Sequence, residues 1–178
     1  MKVIETNLLD CKIIEPEIFG DDRGFFLETF QLKKYRDIAG IEFNFVQDNY
    51  SRSEKNVLRG LHFQIKKPQG KLVRVVKGEV LDVAVDLRKD SKSFGNWTMA
   101  ILNEDNKKQL WIPPGMAHGF LVLSDFADFE YKCTDYYHPE DEGCIIWNDP
   151  TLNITWNSSH PILSSKDSKG MTFEDFIK

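Results

Sequence analysis

The sequence predicts an all-β sandwich or barrel, for three reasons. First, apolar and polar residues alternate in several short segments, most clearly over 80–88, which is the pattern of a strand with two unlike faces. Second, turn-forming residues separate these segments at close intervals, as at 103–106 and 113–115. Third, helical spacing is confined to two short stretches. Many short strands between frequent turns are typical of sandwiches and barrels.

Each predicted element follows from its local pattern. Residues 30–38 have apolar side chains three or four positions apart and precede Gly40, which predicts a short helix. Strands are predicted at 57–64, 71–76, 80–88, 120–123 and 126–134. Within 80–88 the predicted apolar face carries Leu81, Val83, Val85 and Leu87, and the opposite face carries Asp82, Ala84, Asp86 and Arg88. Residues 171–178 are expected to form a turn or two of helix, and the Ser- and Lys-rich stretch 157–170 a surface segment.

Length and composition predict one domain, residues 1–178, with a sizeable core. The chain has 41% apolar residues, including 13 Phe and 4 Trp, which excludes a disordered protein. A net charge of -5 without a basic cluster argues against nucleic acid as a partner. The cysteines show no paired spacing and are expected to be reduced thiols. No stretch reaches membrane-spanning length, so we expect a cytoplasmic protein with no membrane partner.

Two stretches predict a polar site inside this β-rich core. Residues 57–64 place Arg59 and His62 in an otherwise apolar run, and buried Arg and His side chains need partners. Residues 111–120 supply His118 among apolar and turn residues. Alternation puts Arg59 and His62 on opposite faces of a regular strand, so a bulge at Gly60 is one way to bring them together. Spacing alone supports a structural and a functional role equally.

The two histidines suggest a metal, but the donor set is incomplete. A Pro-x-Gly-x-x-His segment that ends at His118 loosely resembles the second motif of the cupin superfamily, whose metal-binding members use three His and a Glu. In this chain Gln64 stands where another His belongs, and the position of the Glu falls on Pro and Gln at 68–69. Two histidines without the carboxylate form a poor divalent site. We therefore expect no bound metal.

Other polar residues give no clear signal when taken singly. Tyr131 and Tyr137 fit packing in strands or interfaces. Asp167, in a Leu-Ser-Ser-Lys-Asp segment, is typical of a surface acid. Arg23 and Glu28 fit a turn that leads into a strand. For each of them the residue chemistry alone favours a structural role.

The segments that contain these residues closely resemble the dTDP-4-dehydrorhamnose 3,5-epimerase family, the deoxysugar epimerase branch of the cupins. The resemblance extends from Phe19 to Asp167 and is too long to arise by chance. The matching segments are 22–26, 45–49, 58–64, 70–73, 82–88, 110–120, 147–149 and 163–167. The resemblance implies a cupin-type jelly roll with a few short peripheral helices.

The resemblance also implies an isomerase that needs no cofactor. The family's substrate is a dTDP-linked 4-keto-6-deoxyhexose, dTDP-4-dehydro-6-deoxy-D-glucose, and the carbons on either side of its ketone, C3 and C5, are inverted on the way to dTDP-L-rhamnose. His62 matches the base, and Asp167 the carboxylate that holds its other ring nitrogen. Tyr131 matches the acid on the opposite face. Lys71 matches a cation beside the ketone oxygen, where it would stabilise an enolate.

Substrate-binding residues are implied in the same way. Arg23 and Arg59 match contacts to the diphosphate, for which a guanidinium fork is suited. Tyr137 matches a stacking partner for thymine. The other matching positions are Phe26, Glu28, Gln47, Asp48, Asn49, His118, Glu142 and Lys166. Family members are homodimers that exchange N-terminal strands, so residues 23–28 are expected to serve the partner's site.

Three alternatives stay open beside the 3,5-epimerase. The pocket could invert only one carbon or accept another nucleotide, because relatives with single-site outcomes share most motifs. The pair of His62 and His118 alone would suit a metal-dependent cupin such as a dioxygenase. A catalytically silent sugar-nucleotide binding module is the fourth possibility, and the complete acid/base set argues against it.

Overall fold

The computed structural model describes all residues, 1–178, as a β-rich protein with two short α-helices. Its elements are β1 (Lys2–Glu5), β2 (Lys12–Glu15), β3 (Ile18–Asp21), β4 (Gly24–Leu27), α1 (Leu32–Ala39), β5 (Gln47–Glu54), β6 (Leu58–Gln64), β7 (Lys71–Lys77), β8 (Glu79–Asp86), β9 (Trp97–Asn103), β10 (Gln109–Ile112), β11 (Met116–Val122), β12 (Phe126–Cys133), β13 (Glu142–Cys144) and α2 (Phe173–Ile177). Single 3-10 turns lie at Pro139–Asp141 and Asp167–Lys169. The predicted all-β class is confirmed.

Two antiparallel sheets form the body of the molecule. One has six strands in the order β1-β2-β10-β7-β12-β5, and the other has five in the order β13-β6-β11-β8-β9. Buried side chains from both sheets form a common core, as expected for a sandwich. Phe120 of β11 and Phe129 of β12 stack across the sandwich with their ring centroids 4.2 Å apart.

A second core lies on the outer face of the five-stranded sheet. There Trp156 and Phe173 of the C-terminal segment belong to one buried cluster with Leu81 of β8. The predicted alternation of β8 is confirmed, because Leu81, Val83 and Val85 face this second core, whereas Asp82 and Ala84 lie on the opposite face, towards the other sheet. Strand β8 is therefore buried on both faces, and its polar face points into the sandwich.

Helix α1 packs on the outside of the six-stranded sheet. Gln31 caps its first turn by accepting a hydrogen bond from the backbone N–H of Lys34, and Gly40 ends it with a φ of 68°, a left-handed conformation that suits glycine. The buried Tyr35 hydroxyl donates to Gln109 Oε1 of β10 at 2.7 Å. The helix predicted at 30–38 is confirmed, with its first helical residue two positions later. The predicted C-terminal turn is confirmed as α2.

Strand β6 contains the irregularity that its sequence requires. His62 pairs with His118 on β11, but Arg59 pairs with Phe120. Between these two pairs, β6 therefore contains one more residue than β11. Gly60 has a φ of 124°, and a Cβ there would lie 2.5 Å from the Cα of Gly119. Only glycine fits this close approach of two backbones. The bulge suggested at Gly60 is confirmed, and it lets Arg59 and His62 line the same cavity.

Two expectations about segments are wrong. The strand expected at 120–123 begins at Met116, because Gly115 (φ of 89°) completes the Pro-Pro-Gly turn and the residues after it pair at once with β8. Residues 157–170 were expected on the surface as a whole, but Asp167 is only 3% exposed. Its carboxylate reaches inward to β6.

The β3–β4 hairpin is a separate two-stranded sheet beside the sandwich. Phe19, Phe25 and Phe26 are all more than half exposed on it. Such a cluster of exposed aromatic residues marks a surface that binds something apolar. No helix of the protein is long and apolar enough to cross a membrane.

Candidate active site

A cavity of about 380 Å³ lies between the two sheets. The five-stranded sheet supplies Arg59 and His62 from β6 and His118 from β11, and the six-stranded sheet supplies Lys71 from β7 and Tyr131 from β12. The other lining residues are Gln47, Asn49, Tyr50, Ser51, Gln69, Phe120, Phe129, Tyr137 and Glu142. The two histidines therefore lie on one wall, and the lysine and tyrosine lie on the other.

His62 is held by a buried carboxylate. Its Nε2 lies 2.5 Å from Asp167 Oδ1, although the two residues are 105 positions apart in the chain. The Ser164 hydroxyl donates to Asp167 Oδ2 at 2.6 Å, and the backbone N–H of Gly60 lies 3.4 Å from Oδ1. Asp167 is thus not the surface acid that its local sequence suggests, because the 3-10 turn it begins carries it under the bulge of β6.

These contacts keep Asp167 ionised. Burial acts to raise the pKa of Asp167, but the hydrogen bonds from His62 and Ser164 outweigh burial and leave that pKa below its usual value. An ionised carboxylate at Nε2 fixes the tautomer of the ring and leaves Nδ1 as its free basic atom. Nδ1 lies 3.9 Å from Glu142 Oε1, on the cavity side of the ring.

The opposite wall carries an acid and a cation. Burial raises the pKa of Tyr131 to about 12, so its hydroxyl stays protonated at neutral pH and is able to donate. The Lys71 ammonium makes no hydrogen bond or ion pair with another residue, although it lies inside the sandwich. Burial lowers the pKa of Lys71. An unpaired ammonium in a cavity is a ready partner for an anionic group of a ligand.

A second His–Asp pair lies beside the first, on the neighbouring strand. His118 Nε2 lies 3.0 Å and 3.1 Å from the two carboxylate oxygens of Asp82, which is completely buried. Burial raises the pKa of Asp82 and lowers that of His118, although each opposes the shift of the other. Residue chemistry did not single out Asp82 as a site residue. The one sequence feature that could have identified Asp82 is that it shares a face of β8 with Ala84. The structure shows that this face is the inner one.

The rim of the cavity is polar. The Tyr137 hydroxyl donates to Glu142 Oε2 at 2.6 Å, and the Lys166 ammonium pairs with the same oxygen. Gln47 Oε1 accepts from the backbone N–H of Tyr137 at 3.0 Å, and Gln47 Nε2 donates to Asn49 Oδ1 at 3.1 Å. Burial acts to raise the pKa of Glu142, but the contacts from Lys166, Tyr137 and His62 lower it overall. Glu142 is therefore an ionised acceptor.

The predicted substrate-binding residues divide into two groups. Arg59 lines the cavity and donates from Nε to Ser53 Oγ at 3.0 Å, which leaves the ends of its guanidinium free. Arg23, Phe26, Glu28, Asp48 and Lys166 do not line the cavity of this chain, although Lys166 pairs with the lining residue Glu142. Arg23 pairs with Asp21 in the β3–β4 hairpin, and Asp48 pairs with Lys132. Sequence reasoning missed the lining residues Tyr50, Ser51, Gln69, Phe120 and Phe129.

The donor atoms here do not favour a divalent metal. His62, Cys144 and Asp167 place one nitrogen, one sulfur and one oxygen within 4.8 Å of one another. Burial raises the pKa of Cys144 to about 12, so its sulfur remains a thiol at neutral pH, whereas a metal binds the thiolate. The Nε2 atom of each cavity histidine already faces an aspartate. The expected absence of a metal stays a prediction.

Two facing antiparallel sheets with a polar cavity between them define a class of protein: a cupin-like enzyme. The chain matches the family model for dTDP-4-dehydrorhamnose 3,5-epimerase over residues 5–175. It belongs to the dTDP-4-dehydrorhamnose 3,5-epimerase family and is therefore an isomerase of the dTDP-rhamnose pathway. The predicted family, function and enzyme class are confirmed.

Individual relatives and solved structures are similar to this chain over most of its length. The dTDP-4-dehydrorhamnose 3,5-epimerase of Escherichia coli is 55% identical over 180 residues, which cover 100% of this chain and 97% of the relative. A crystal structure of dTDP-6-deoxy-D-glucose-3,5-epimerase from Legionella pneumophila, in complex with dTDP-4-keto-L-rhamnose, matches with a TM-score of 0.94 and 55% identity, covering 97% of this chain and 93% of the other. A 3'-monoepimerase from Streptomyces bikiniensis, in complex with dTDP-quinovose, matches with a TM-score of 0.87 and 30% identity over 94% of this chain and 85% of the other.

Proposed function

We propose that this chain inverts C3 and C5 of dTDP-4-dehydro-6-deoxy-D-glucose through proton removal by His62 and proton return by Tyr131. The observation that carries this proposal is their placement on opposite walls of one cavity, His62 on β6 and Tyr131 on β12. A base on one side of a carbon and an acid on the other are what an inversion needs.

The first step removes a proton beside the C4 ketone. His62 Nδ1 takes the proton, the C–H electron pair forms a double bond from that carbon to C4, and the π pair of the C4 carbonyl moves onto its oxygen to give the enolate. Asp167 stabilises the imidazolium that results. The unpaired Lys71 ammonium stabilises the enolate oxygen, because opposite charges attract strongly where water is excluded.

The second step returns a proton from the opposite wall. Tyr131 donates its hydroxyl proton to the other face of the carbon, which inverts the centre and restores the ketone. His62 then loses its proton and Tyr131 regains one by exchange with water. The same cycle at the second carbon completes the reaction, and each inverted carbon carries a proton from solvent.

The rim and the free end of Arg59 suit the nucleotide. Arg59 presents unpaired guanidinium N–H groups at the cavity, which suit a diphosphate. Tyr137 is half exposed and would stack on thymine, next to Gln47 and Asn49. His118, Glu142 and Lys166 complete the sugar pocket in this proposal.

We propose in addition that the chain works as a homodimer whose β3–β4 hairpins are exchanged. Arg23, Phe26 and Glu28 lie on or beside the hairpin and away from the cavity of their own chain, and the exposed aromatic side chains of this hairpin need an apolar partner surface. In a dimer they would complete the partner's site. Asp48 would add a polar group at the same edge. The single domain and the cytoplasmic location stay predictions.

Deuterium incorporation tests the proposed reaction. Protein and thymidine-linked ketosugar are incubated in D2O, and the label at each carbon is read by NMR. We expect label at both C3 and C5. Absence of label at both carbons, with the substrate bound, would leave only a silent binding module.

The alternative of single-site inversion is favoured by one observation, the likeness to the 3'-monoepimerase at 30% identity. The likeness to the 3,5-epimerases at 55% identity favours inversion of both carbons. Label at only one carbon in the same experiment would support the single-site enzyme.

A further inference from the structure

Gln64 is a buried polar residue to which the proposed reaction assigns no role. It ends β6, two residues after His62, and pairs with Glu142 of β13. It is only 7% exposed and does not line the cavity itself. A buried amide group is costly unless its hydrogen bonds are satisfied, so the groups that it binds indicate its purpose.

The amide group of Gln64 makes three hydrogen bonds, all of them to the backbone. Its Nε2 donates to the carbonyl oxygens of Lys67, at 2.6 Å, and of Tyr136, at 3.3 Å. Its Oε1 accepts from the backbone N–H of His138 at 2.9 Å. Because the partners are two carbonyls and one N–H, only one orientation of the amide satisfies all of them. Gln64 therefore ties the loop after β6 to the loop after β12.

The loop after β12 carries Tyr137 between the two residues that Gln64 holds. The backbone N–H of Tyr137 itself donates to Gln47 Oε1 at 3.0 Å. Three consecutive residues, 136–138, are thus bound through their backbone by glutamine side chains. Of the two adjacent tyrosines, Tyr137 lines the cavity and Tyr136 does not. The glutamine contacts therefore hold the segment that presents Tyr137 to a ligand.

We propose that Gln64 is a positioning residue that fixes the backbone on both sides of Tyr137, so that its ring is in place for the nucleotide base before the ligand binds. The inference rests on the proposed function, because it requires Tyr137 to stack on thymine. Ordering a mobile loop and its aromatic side chain on binding costs affinity, and a loop that is already held avoids this cost. Gln64 thereby raises the affinity for ligands that carry a base, but not the affinity for a bare diphosphate.

Gln64→Met tests the proposal, because methionine has a similar length but cannot donate to the two carbonyls. Calorimetry measures the binding of dTDP and of inorganic pyrophosphate, which has no base. We expect the Kd of dTDP to rise about tenfold and that of pyrophosphate to change less than about twofold. In turnover, KM should rise about tenfold while kcat stays within about threefold of the wild type. Equal changes in the two Kd values would overturn the proposal, since a general disturbance of the cavity affects both ligands.

Tyr137→Ala separates a failure of this inference from a failure of the proposed function. Alone it should raise the Kd of dTDP about tenfold or more, because the stacking is lost. In that background Gln64→Met should raise it less than about twofold further, because no ring is left to position. A full further loss would overturn the inference alone. Unchanged dTDP affinity in Tyr137→Ala would refute the stacking in the proposed function and this inference with it.

Asp149→Asn is the matched control. Asp149 is also buried, and its carboxylate accepts from the backbone N–H groups of Thr151, Leu152 and Phe173 on the outer side of the five-stranded sheet. An amide has one acceptor oxygen and cannot satisfy both sides of this contact. The control should lose stability and keep the Kd of dTDP within about twofold. A loss of dTDP affinity as large as that of Gln64→Met would contradict a specific role for Gln64.

Hydrogen exchange in the wild type provides a test that needs no variant to fold. The backbone N–H groups of Tyr137 and His138 should be protected in the ligand-free protein nearly as well as in the presence of saturating dTDP, because both already donate to glutamine side chains. Fast exchange in the free protein, with protection only after dTDP is added, would show that the ligand orders this loop. That result would overturn the proposal.

Discussion

Two histidine–aspartate pairs lie side by side in this molecule. They consist of the same residue types but differ in how exposed the histidine is and in what surrounds the aspartate. His62 and His118 are direct cross-strand partners on β6 and β11, and each points its Nε2 at a buried aspartate. The side chain of His62 is 28% exposed, whereas that of His118 is 7% exposed. Both histidines line the cavity, but His118 is the more enclosed of the two and lies beside the rings of Phe120 and Phe129.

The difference between the pairs lies in what surrounds each aspartate. Asp167 also accepts hydrogen bonds from Ser164 and the backbone of Gly60, which lower its pKa overall. Asp82 has only His118, and burial raises its pKa. An aspartate that stays ionised stabilises an imidazolium, so His62 is equipped to accept a proton. The same two residue types therefore give a histidine suited to act as a base in one place and a more enclosed, buried pair in the other.

The largest effect is expected when the base is removed. His62→Ala should lower kcat by about 10³-fold or more, because general-base catalysis contributes about 10²–10⁴-fold and the same nitrogen serves both carbons. Steady-state turnover measures this loss. Near-normal turnover in this variant would show that His62 is not the base.

Loss of the acid should separate the two half-reactions. Tyr131→Phe should lower net epimerisation by about 10²-fold or more, while initial proton removal is less affected, because His62 and Lys71 remain in place. Product formation and wash-out of label from C3- or C5-deuterated substrate are compared in the same sample. Equal losses in both would contradict the assignment of Tyr131 as the acid.

Replacing the aspartate of the first pair should act through His62. In Asp167→Asn the amide group can donate to Nε2, which would place the ring proton on Nδ1 and leave no free basic atom at the cavity. We expect kcat to fall by about 10²-fold with little change in KM. A large rise in KM with an unchanged kcat would indicate that Asp167 serves binding instead.

The smallest effect concerns stability and a third buried aspartate. Burial acts to raise the pKa of Asp86, but hydrogen bonds from Arg88, Ser91 and Ser93 outweigh burial and lower this pKa to about 2 from 3.8. The ionised Asp86 carboxylate thus adds about 2 kcal/mol to the free energy of unfolding above about pH 4. This contribution is lost as the pH falls towards 2. Urea unfolding of the wild type and of Asp86→Asn at pH 7 and pH 3 measures it. The difference in free energy of unfolding between the two proteins should be smaller at pH 3 than at pH 7.

Local patterns predicted the strands and the first helix well, because these depend on neighbouring residues. The alternation in 80–88 correctly separated the two faces of β8. It did not show which face was inner, because the C-terminal segment covers the apolar face, and that packing arises from residues far along the chain. For the same reason Asp82 was recognised as a strand residue and not as part of the site.

The site itself was predictable only in part. Gly60 marked a bulge in β6, and the bulge is what brings Arg59 and His62 to one cavity. The pairing of His62 with Asp167 followed only from the family resemblance, since contacts across 105 residues leave no trace in local spacing. The roles of Arg23, Phe26 and Glu28 depend on a second chain and stay predictions.

The most direct test of the account is whether proton removal belongs to His62 and not to its neighbour. His62→Gln and His118→Gln are compared in D2O with the thymidine-linked ketosugar, and the initial rate of deuterium incorporation at C3 and C5 is read by NMR. We predict no incorporation above background for His62→Gln and measurable incorporation at both carbons for His118→Gln. Incorporation by His62→Gln at a rate close to the wild type would contradict the account.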